Sequence, residues 1–250
     1  LGADPIHALS ASFLKPGVRP SWPAGADVHA FLASAAGDGI LGLLYARVHA
    51  SGAAADLPPT LVAALRGAAH RLAGIEMAQR LELQRIVAAL RAAGVDAILM
   101  KGSALAYDVY SDPSWRVRSD VDVLIRPGDR VHTRDALHDL GYTSFSAVSG
   151  ALIVSQFHCE RREGGVRHLC DIHWRIVNRL RLANAVCFDD LAADAIALPA
   201  LGPGARGLGH VHALWLACVH RAVHHYDQET LIWLYDVHLL CGTLDGDGWS

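Results

Sequence analysis

Two aspartates one residue apart, Asp120 and Asp122, lie in the run Arg118-Ser119-Asp120-Val121-Asp122-Val123-Leu124-Ile125. Alternate residues of a strand share a face. Both carboxylates therefore project to one side, while Val121, Val123 and Ile125 enter a core. Unit charges about 4 Å apart repel by roughly 4 kcal/mol at an effective dielectric near 20. A strand that keeps both needs a cation, a shared proton or open solvent. A divalent cation answers that need best, and hard carboxylate oxygens suit Mg²⁺. The alternative is a solvated strand face, and the pair alone does not decide between them.

Upstream, the short apolar strand Ala97-Ile98-Leu99-Met100 runs into Lys101-Gly102-Ser103. Glycine lets a backbone approach a phosphate closely, and a serine hydroxyl with neighbouring N–H groups can bond its oxygens. A helix starting at Ala104 would add its N-terminal dipole. A Gly-Ser pair by itself is weak, since most are turns or caps. Downstream, polar and apolar residues alternate from Leu152 to Trp174 around Glu163-Gly164-Gly165-Val166, which reads as a hairpin with Gly164-Gly165 at the turn. That register sets His158 opposite Asp171 and Gln156 opposite His173, on one face with Glu160. Phe157 then faces Ile172, and Cys159 faces Cys170, on the other. The clean separation into a polar and an apolar face supports the register.

The segment Met100-Lys101-Gly102-Ser103, Arg116 and the Arg118–Ile125 run together resemble the DNA polymerase beta-type nucleotidyltransferase superfamily. Its signature is a Gly-Ser or Gly-Gly pair, a spacer, an Asp-x-Asp or Asp-x-Glu strand, and a third carboxylate on a later strand. Asp171, in Cys170-Asp171-Ile172-His173-Trp174, falls at that third position. Within the superfamily the chain is similar to the uncharacterised bacterial nucleotidyltransferase group. That group has a helical N-terminal region, a KGxAL segment, an RxxSDxD strand, a DxHW strand, and a C-terminal helix with spaced histidines followed by WxxD. The last corresponds here to His220, His224, Trp233 and Asp236, and the resemblance spans roughly residues 30–245.

The resemblance implies two-metal phosphoryl-group chemistry. Asp120 and Asp122 would hold Mg²⁺ on the triphosphate, and Asp171 would complete a second metal site. Gly102 and Ser103 would hold phosphates. Lys101, Arg116 and Arg118 would neutralise developing charge, and His173 would touch nucleotide or acceptor. The spacer between Ser103 and Asp120 is longer than the minimal signature, so Tyr107–Trp115 is expected as an extra loop over the site, leaving base selectivity open. The expected reaction moves a nucleoside monophosphate from an NTP, ATP being the first choice, to a small molecule, peptide or protein, with release of pyrophosphate. Two rivals remain: a non-catalytic nucleotide-binding scaffold on the same fold, and a metal-dependent hydrolase built on the histidine-rich C-terminal helix. The absence of HExxH weighs against the latter. His220, His224 and Asp236 have ligand chemistry suited to zinc, though helix packing is the stronger reading for them.

The elements needed to position these residues follow from spacing. Residues 1–27, with four of the ten prolines, read as an irregular arm. Helical spacing over 27–50 breaks at Gly37 and Gly39. Residues 61–93 form one long helix or two with a kink near Gly74, capped by Gly94. Strands follow at 97–100 and 120–125, then a helix from Pro127 to about Leu140. The hairpin comes next, residues 184–207 are ambiguous, and 209–240 is helical. This predicts an α+β fold: a helical region over 1–94, a small mixed-sheet core over 95–183, and a helical region over 184–250. The close at Gly248-Trp249-Ser250 reads as a beginning rather than a stop, so a longer chain is expected.

Composition narrows the partners. The chain has 250 residues, 52% hydrophobic and 19% charged, with a formal net charge of −3. Long nucleic acid is disfavoured, because a general binder needs a basic surface to displace counterions. No apolar run approaches the roughly 18 to 20 residues of a membrane span. Five cysteines without a CxxC pair argue against a cysteine-rich zinc site or a secreted disulfide scaffold. Reduced, mostly buried thiols in a cytoplasmic protein are expected.

Overall fold

A computed structural model of the chain describes residues 4–145, 155–177, 186–224 and 230–244. It divides into two compact units. The first comprises residues 1–78, 112–117 and 229–235, and the second comprises 79–111, 118–228 and 236–250.

The first unit is helical. Helix α1 covers Pro5–Leu14, within the stretch expected to be an irregular arm. The prolines misled: Pro5 sits in the first turn, where its missing N–H costs nothing, and the Asp4 side chain caps the Ile6 N–H at 3.0 Å. Helices α2 (Val28–Gly37) and α3 (Leu41–Ala50) break where Gly39 takes φ 70°. Phe13 and Phe31 pack with ring centroids 5.2 Å apart. Helix α4 is a single 34-residue helix, Pro59–Ala92, with no break at Gly74. Gly94 follows it at φ 71°, a left-handed conformation that glycine adopts without Cβ strain. Among the described residues no single helix is long and apolar enough to cross a membrane.

The second unit holds one mixed sheet. Its strands are β1 (Ala97–Met100), β2 (Val121–Ile125), β3 (Thr143–Phe145), β4 (Gln156–Glu163), β5 (Val166–His173), β6 (Ile196–Ala197) and β7 (Arg206–Gly207). The order across the sheet is β3-β4-β5-β2-β1-β7-β6. Strands β2 and β5 run parallel, as do β1 and β7, and the remaining neighbours are antiparallel. Helix α5 (Lys101–Asp108) follows β1 directly, and α6 (Arg130–Asp139) follows β2 through a 3-10 turn at Pro127–Asp129. Helices α7 (Phe188–Ala193), α8 (His210–His224) and α9 (Leu231–Thr243) complete the described chain, α9 beginning in the first unit.

One sheet face is apolar. Val123, Ile125, Ile172, Phe157, Cys159 and Cys170 pack with Leu83, Ile86 and Leu90 of α4 and Leu137 of α6. Burying side chains of this size stabilises by about 1.5–3 kcal/mol each. Cys159 and Cys170 are cross-strand partners with free thiols, and burial pushes the Cys159 thiol up to about 12. Cys187 and Cys218 are exposed, so the expectation of mostly buried thiols holds only for the hairpin pair.

At the edge of this face a charged cluster replaces apolar packing. Buried Glu82 of α4 accepts from Tyr142 Oη at 2.6 Å and from Arg161 Nε at 3.1 Å. Arg161 also reaches Glu163 at 2.8 Å. Removing one partner of a buried pair leaves the other uncompensated. Glu82→Ala is therefore expected to cost about 3 kcal/mol, the lower end of the range, because Arg161 keeps Glu163. Thermal denaturation should show a melting temperature lower by roughly 6 to 12 °C. A shift under about 2 °C would mean that the cluster is solvated rather than structural.

Candidate active site

The opposite face of the same strands carries the polar residues. Strand β2 sets Asp122 beside Asp171 of β5 in parallel register. The β4–β5 hairpin has the register read from the sequence: His158 faces Asp171, Gln156 faces His173, and Glu163 faces Val166 across the turn. Gly164 and Gly165 take φ 57° and 82°, the paired left-handed turn that two glycines favour. The expected segment from Leu152 begins outside the described residues, which resume at Ser155.

Asp122 is the centre. The residue is 4% exposed, and two groups converge on its Oδ1: Lys101 Nζ at 2.6 Å and His173 Nε2 at 2.9 Å. Burial alone would raise this carboxyl, but Lys101 and His173 together hold it well below the usual range. Asp120, in the bend just before β2, behaves oppositely. Burial and the carboxylates of Asp122 and Asp171 push it up, against Lys101 and a Ser119 hydrogen bond. Asp171 Oδ1 lies 2.7 Å from His158 Nδ1, and His158 Nε2 lies 3.2 Å from Gln156 Nε2. Ligand atoms of Asp122, Asp171 and His173 all fall within 4.8 Å of one another, the one such group of three among the described residues. Asp120, the other carboxylate expected at the metal, is not a member of this group; its carboxyl is raised by burial and then by Asp122 and Asp171.

Lys101 reaches Asp122 through an unusual backbone. Helix α5 starts at Lys101 rather than Ala104, and Lys101 has φ 51°, the one non-glycine residue with positive φ among those described. A residue of this kind in the left-handed region is uncommon. Here it sits at the sharp corner between β1 and α5. Gly102 and Ser103 lie in the first turn, both buried. The Ser103 hydroxyl donates to the Asp120 carbonyl at 3.2 Å, tying α5 to the bend that carries Asp120. No side chain caps the helix.

Of the arginines, Arg118 lies in the sheet unit, donates to Tyr107 Oη at 2.8 Å and lies over that ring. Arg116 belongs to the helical unit, where it is buried and donates to the Val117 carbonyl at 2.6 Å. Tyr107 lies within α5, and residues 112–117 belong to the helical unit. Asp236 of α9 is buried and accepts from Tyr110 Oη at 2.7 Å. Among the described residues His220 and Asp236 form no group of three metal-ligating side chains. The His224 side chain lies outside the described residues. Sequence reasoning placed His158 and Gln156 by register but gave them no task, although their position opposite Asp171 and His173 was the available signal.

The profile of a family described as "Uncharacterised nucleotidyltransferase" matches residues 24–250. No curated protein matches the sequence. Two solved structures of ANT(2'')-Ia are similar. One is the antibiotic-resistance factor in solution, at 14% identity over 68% of this chain and 85% of that one, with TM-score 0.45. The other is its complex with adenylyl-2''-tobramycin, at 15% identity over 67% of this chain and 90% of that one, with TM-score 0.46. With nearly its whole length matched by one profile, the chain belongs to that family of nucleotidyltransferases.

Proposed function

We propose that the protein transfers a nucleoside monophosphate from an NTP, ATP first, to an acceptor hydroxyl with release of pyrophosphate, using Mg²⁺ at the carboxylate cluster. The observation that carries this reading is the parallel pairing of Asp122 with Asp171 beside an Asp120 whose carboxyl is pushed up by burial and then by both of them. Three carboxylates gathered around one lysine hold more negative charge than the site compensates. That excess, and the hard oxygen donors, fit a divalent cation.

Asp120, Asp122 and Asp171 are the residues that would hold it, two ions being proposed. Bound Mg²⁺ would neutralise charge on the triphosphate and on the departing pyrophosphate. The residues of this chain do the rest. Backbone N–H groups at the start of α5, from Gly102 and Ser103, face a phosphate with the helix dipole behind them. The Ser103 hydroxyl, bonded to Asp120, secures that geometry. Lys101 and Arg118 supply positive charge near the phosphates, and His173 borders the nucleotide or acceptor. In the reaction the acceptor oxygen bonds to the α-phosphorus, and the bond from that phosphorus to the pyrophosphate oxygen breaks. The acceptor proton leaves towards the Asp171 carboxylate. The acceptor is a small molecule, a peptide or a protein side chain.

The test is direct. Each α-labelled NTP is incubated with the protein, Mg²⁺ and a cell extract as acceptor source, and label transfer and pyrophosphate are followed together. Matched appearance of both, abolished by Asp171→Asn, is expected. Release of free nucleoside monophosphate without a labelled product would replace transfer by hydrolysis.

A further inference from the structure

We infer that His158 is a positioning residue for the third carboxylate, acting with Gln156 to fix the plane of the Asp171 carboxyl group. This rests on the reading of Asp171 as a metal-holding residue. Asp171 ends a chain of two hydrogen bonds that begins on the neighbouring strand. Gln156 Nε2 lies 3.2 Å from His158 Nε2, and His158 Nδ1 lies 2.7 Å from Asp171 Oδ1. With the Gln156 amide in this orientation its nitrogen donates and His158 Nε2 accepts. The imidazole proton then resides on Nδ1 and points at the carboxylate. The polarity of the chain therefore runs one way, from Gln156 through His158 to Asp171.

The ring is also held on its face. Phe145 of β3 stacks on His158 at 5.6 Å between centroids and 26° between planes. The hairpin register makes His158 the direct cross-strand partner of Asp171. Asp122 is fixed differently, by Lys101 and His173, so the two carboxylates have separate supports. Outer partners that orient a ligating group are typically worth 10–100-fold in metal affinity. A free carboxyl rotor samples orientations that a bound cation must freeze, and His158 removes that freedom beforehand.

Two substitutions separate donation to Asp171 from mere bulk. Asparagine places its amide nitrogen near the position of imidazole Nδ1, whereas glutamine reaches the position of Nε2. His158→Asn therefore keeps the donor to Asp171, and His158→Gln does not. Mn²⁺ affinity, read from free Mn²⁺ by electron paramagnetic resonance, is expected to fall about 10- to 100-fold in His158→Gln and to stay within about threefold in His158→Asn. Nitrogen NMR of the wild-type histidines should show a proton on His158 Nδ1, with the signal changing in Gln156→Leu. Equal Mn²⁺ affinity in all three chains, with binding lost in Asp171→Asn, would overturn the positioning role alone. So would a His158 that carries no proton on Nδ1. A wild-type chain that binds no Mn²⁺ would overturn the metal reading and this one with it, while the NMR result would still report the hydrogen bond.

Discussion

Asp122→Asn is expected to remove nucleotidyl transfer and to lower stability, whereas Asp120→Asn removes transfer and leaves stability equal or higher. Both lose a carboxylate proposed to hold Mg²⁺. Losing about 4 kcal/mol of charge stabilisation in the transition state is about 10³-fold in rate. The stabilities diverge because the two carboxyls sit in opposite electrostatic settings. Asp122 is buried with Lys101 and His173 on one oxygen, and neutralising it strands both. Breaking such a pair costs about 3 kcal/mol when the lysine is partly solvated, or roughly 6 to 12 °C in melting temperature. Asp120 is raised by burial and by its carboxylate neighbours, so its ionised form works against the fold and asparagine relieves that.

The pH dependence follows with definite signs. The Asp122 carboxyl is lowered on folding, so its contribution is present above the ordinary value of 3.8 and is lost as pH falls below it. The Asp120 carboxyl is raised, so its penalty sets in as pH climbs above 3.8 and is complete beyond its folded value. Near pH 4, denaturant midpoints should show the Asp120→Asn gain largely gone and the Asp122→Asn deficit intact. Two variants with the same stability profile would mean that the carboxylates share one environment, contrary to this geometry.

What the sequence revealed and what it hid divide along physical lines. The β4–β5 register was legible because Gly164-Gly165 admits a tight turn and because every second residue is apolar, so a slip would expose Phe157 and Ile172. The long α4 and the break between α2 and α3 were legible for the same reason, periodicity plus glycine. The parallel pairing of β2 with β5 left no local signal: 40 residues, 126–165, separate the strands, and neither one's pattern names its partner. It could be anticipated only from the chemistry, since Asp171 must stand beside Asp122 to complete a site. Helix α1 was hidden by proline composition, although Asp4-Pro5 is a sound helix start. The position of Lys101 was hidden most completely, because its reach to Asp122 depends on a left-handed backbone that no propensity assigns to lysine.

Lys101→Met is accordingly expected to tighten divalent-cation binding while slowing transfer. In the structure described, Lys101 Nζ takes the place of a cation on Asp122 Oδ1 at 2.6 Å. A divalent ion claiming that carboxylate must share it with, or displace, the ammonium group. Removing one positive charge from a cluster of three carboxylates favours the incoming cation by about 1.4 kcal/mol, or about tenfold in Mn²⁺ affinity. The same lysine is proposed to neutralise phosphate charge once the nucleotide is bound, so turnover should fall about 10²- to 10³-fold. Methionine preserves the unbranched stem and keeps the backbone demand at this corner nearly unchanged. Stability supplies a third readout. With chelator present the variant leaves Asp122 without its lysine and should melt lower than wild type. Saturating Mn²⁺ should recover more of that loss in the variant than it adds to wild type, because stabilisation by a ligand grows with the logarithm of its affinity for the folded state. Weaker Mn²⁺ binding in Lys101→Met would show that the ammonium group assists the cation, for example by ordering α5, and would remove the idea that it acts as the resident counter-ion. Unchanged turnover beside tighter binding would leave the counter-ion role standing and assign the phosphate charge to Arg118 instead.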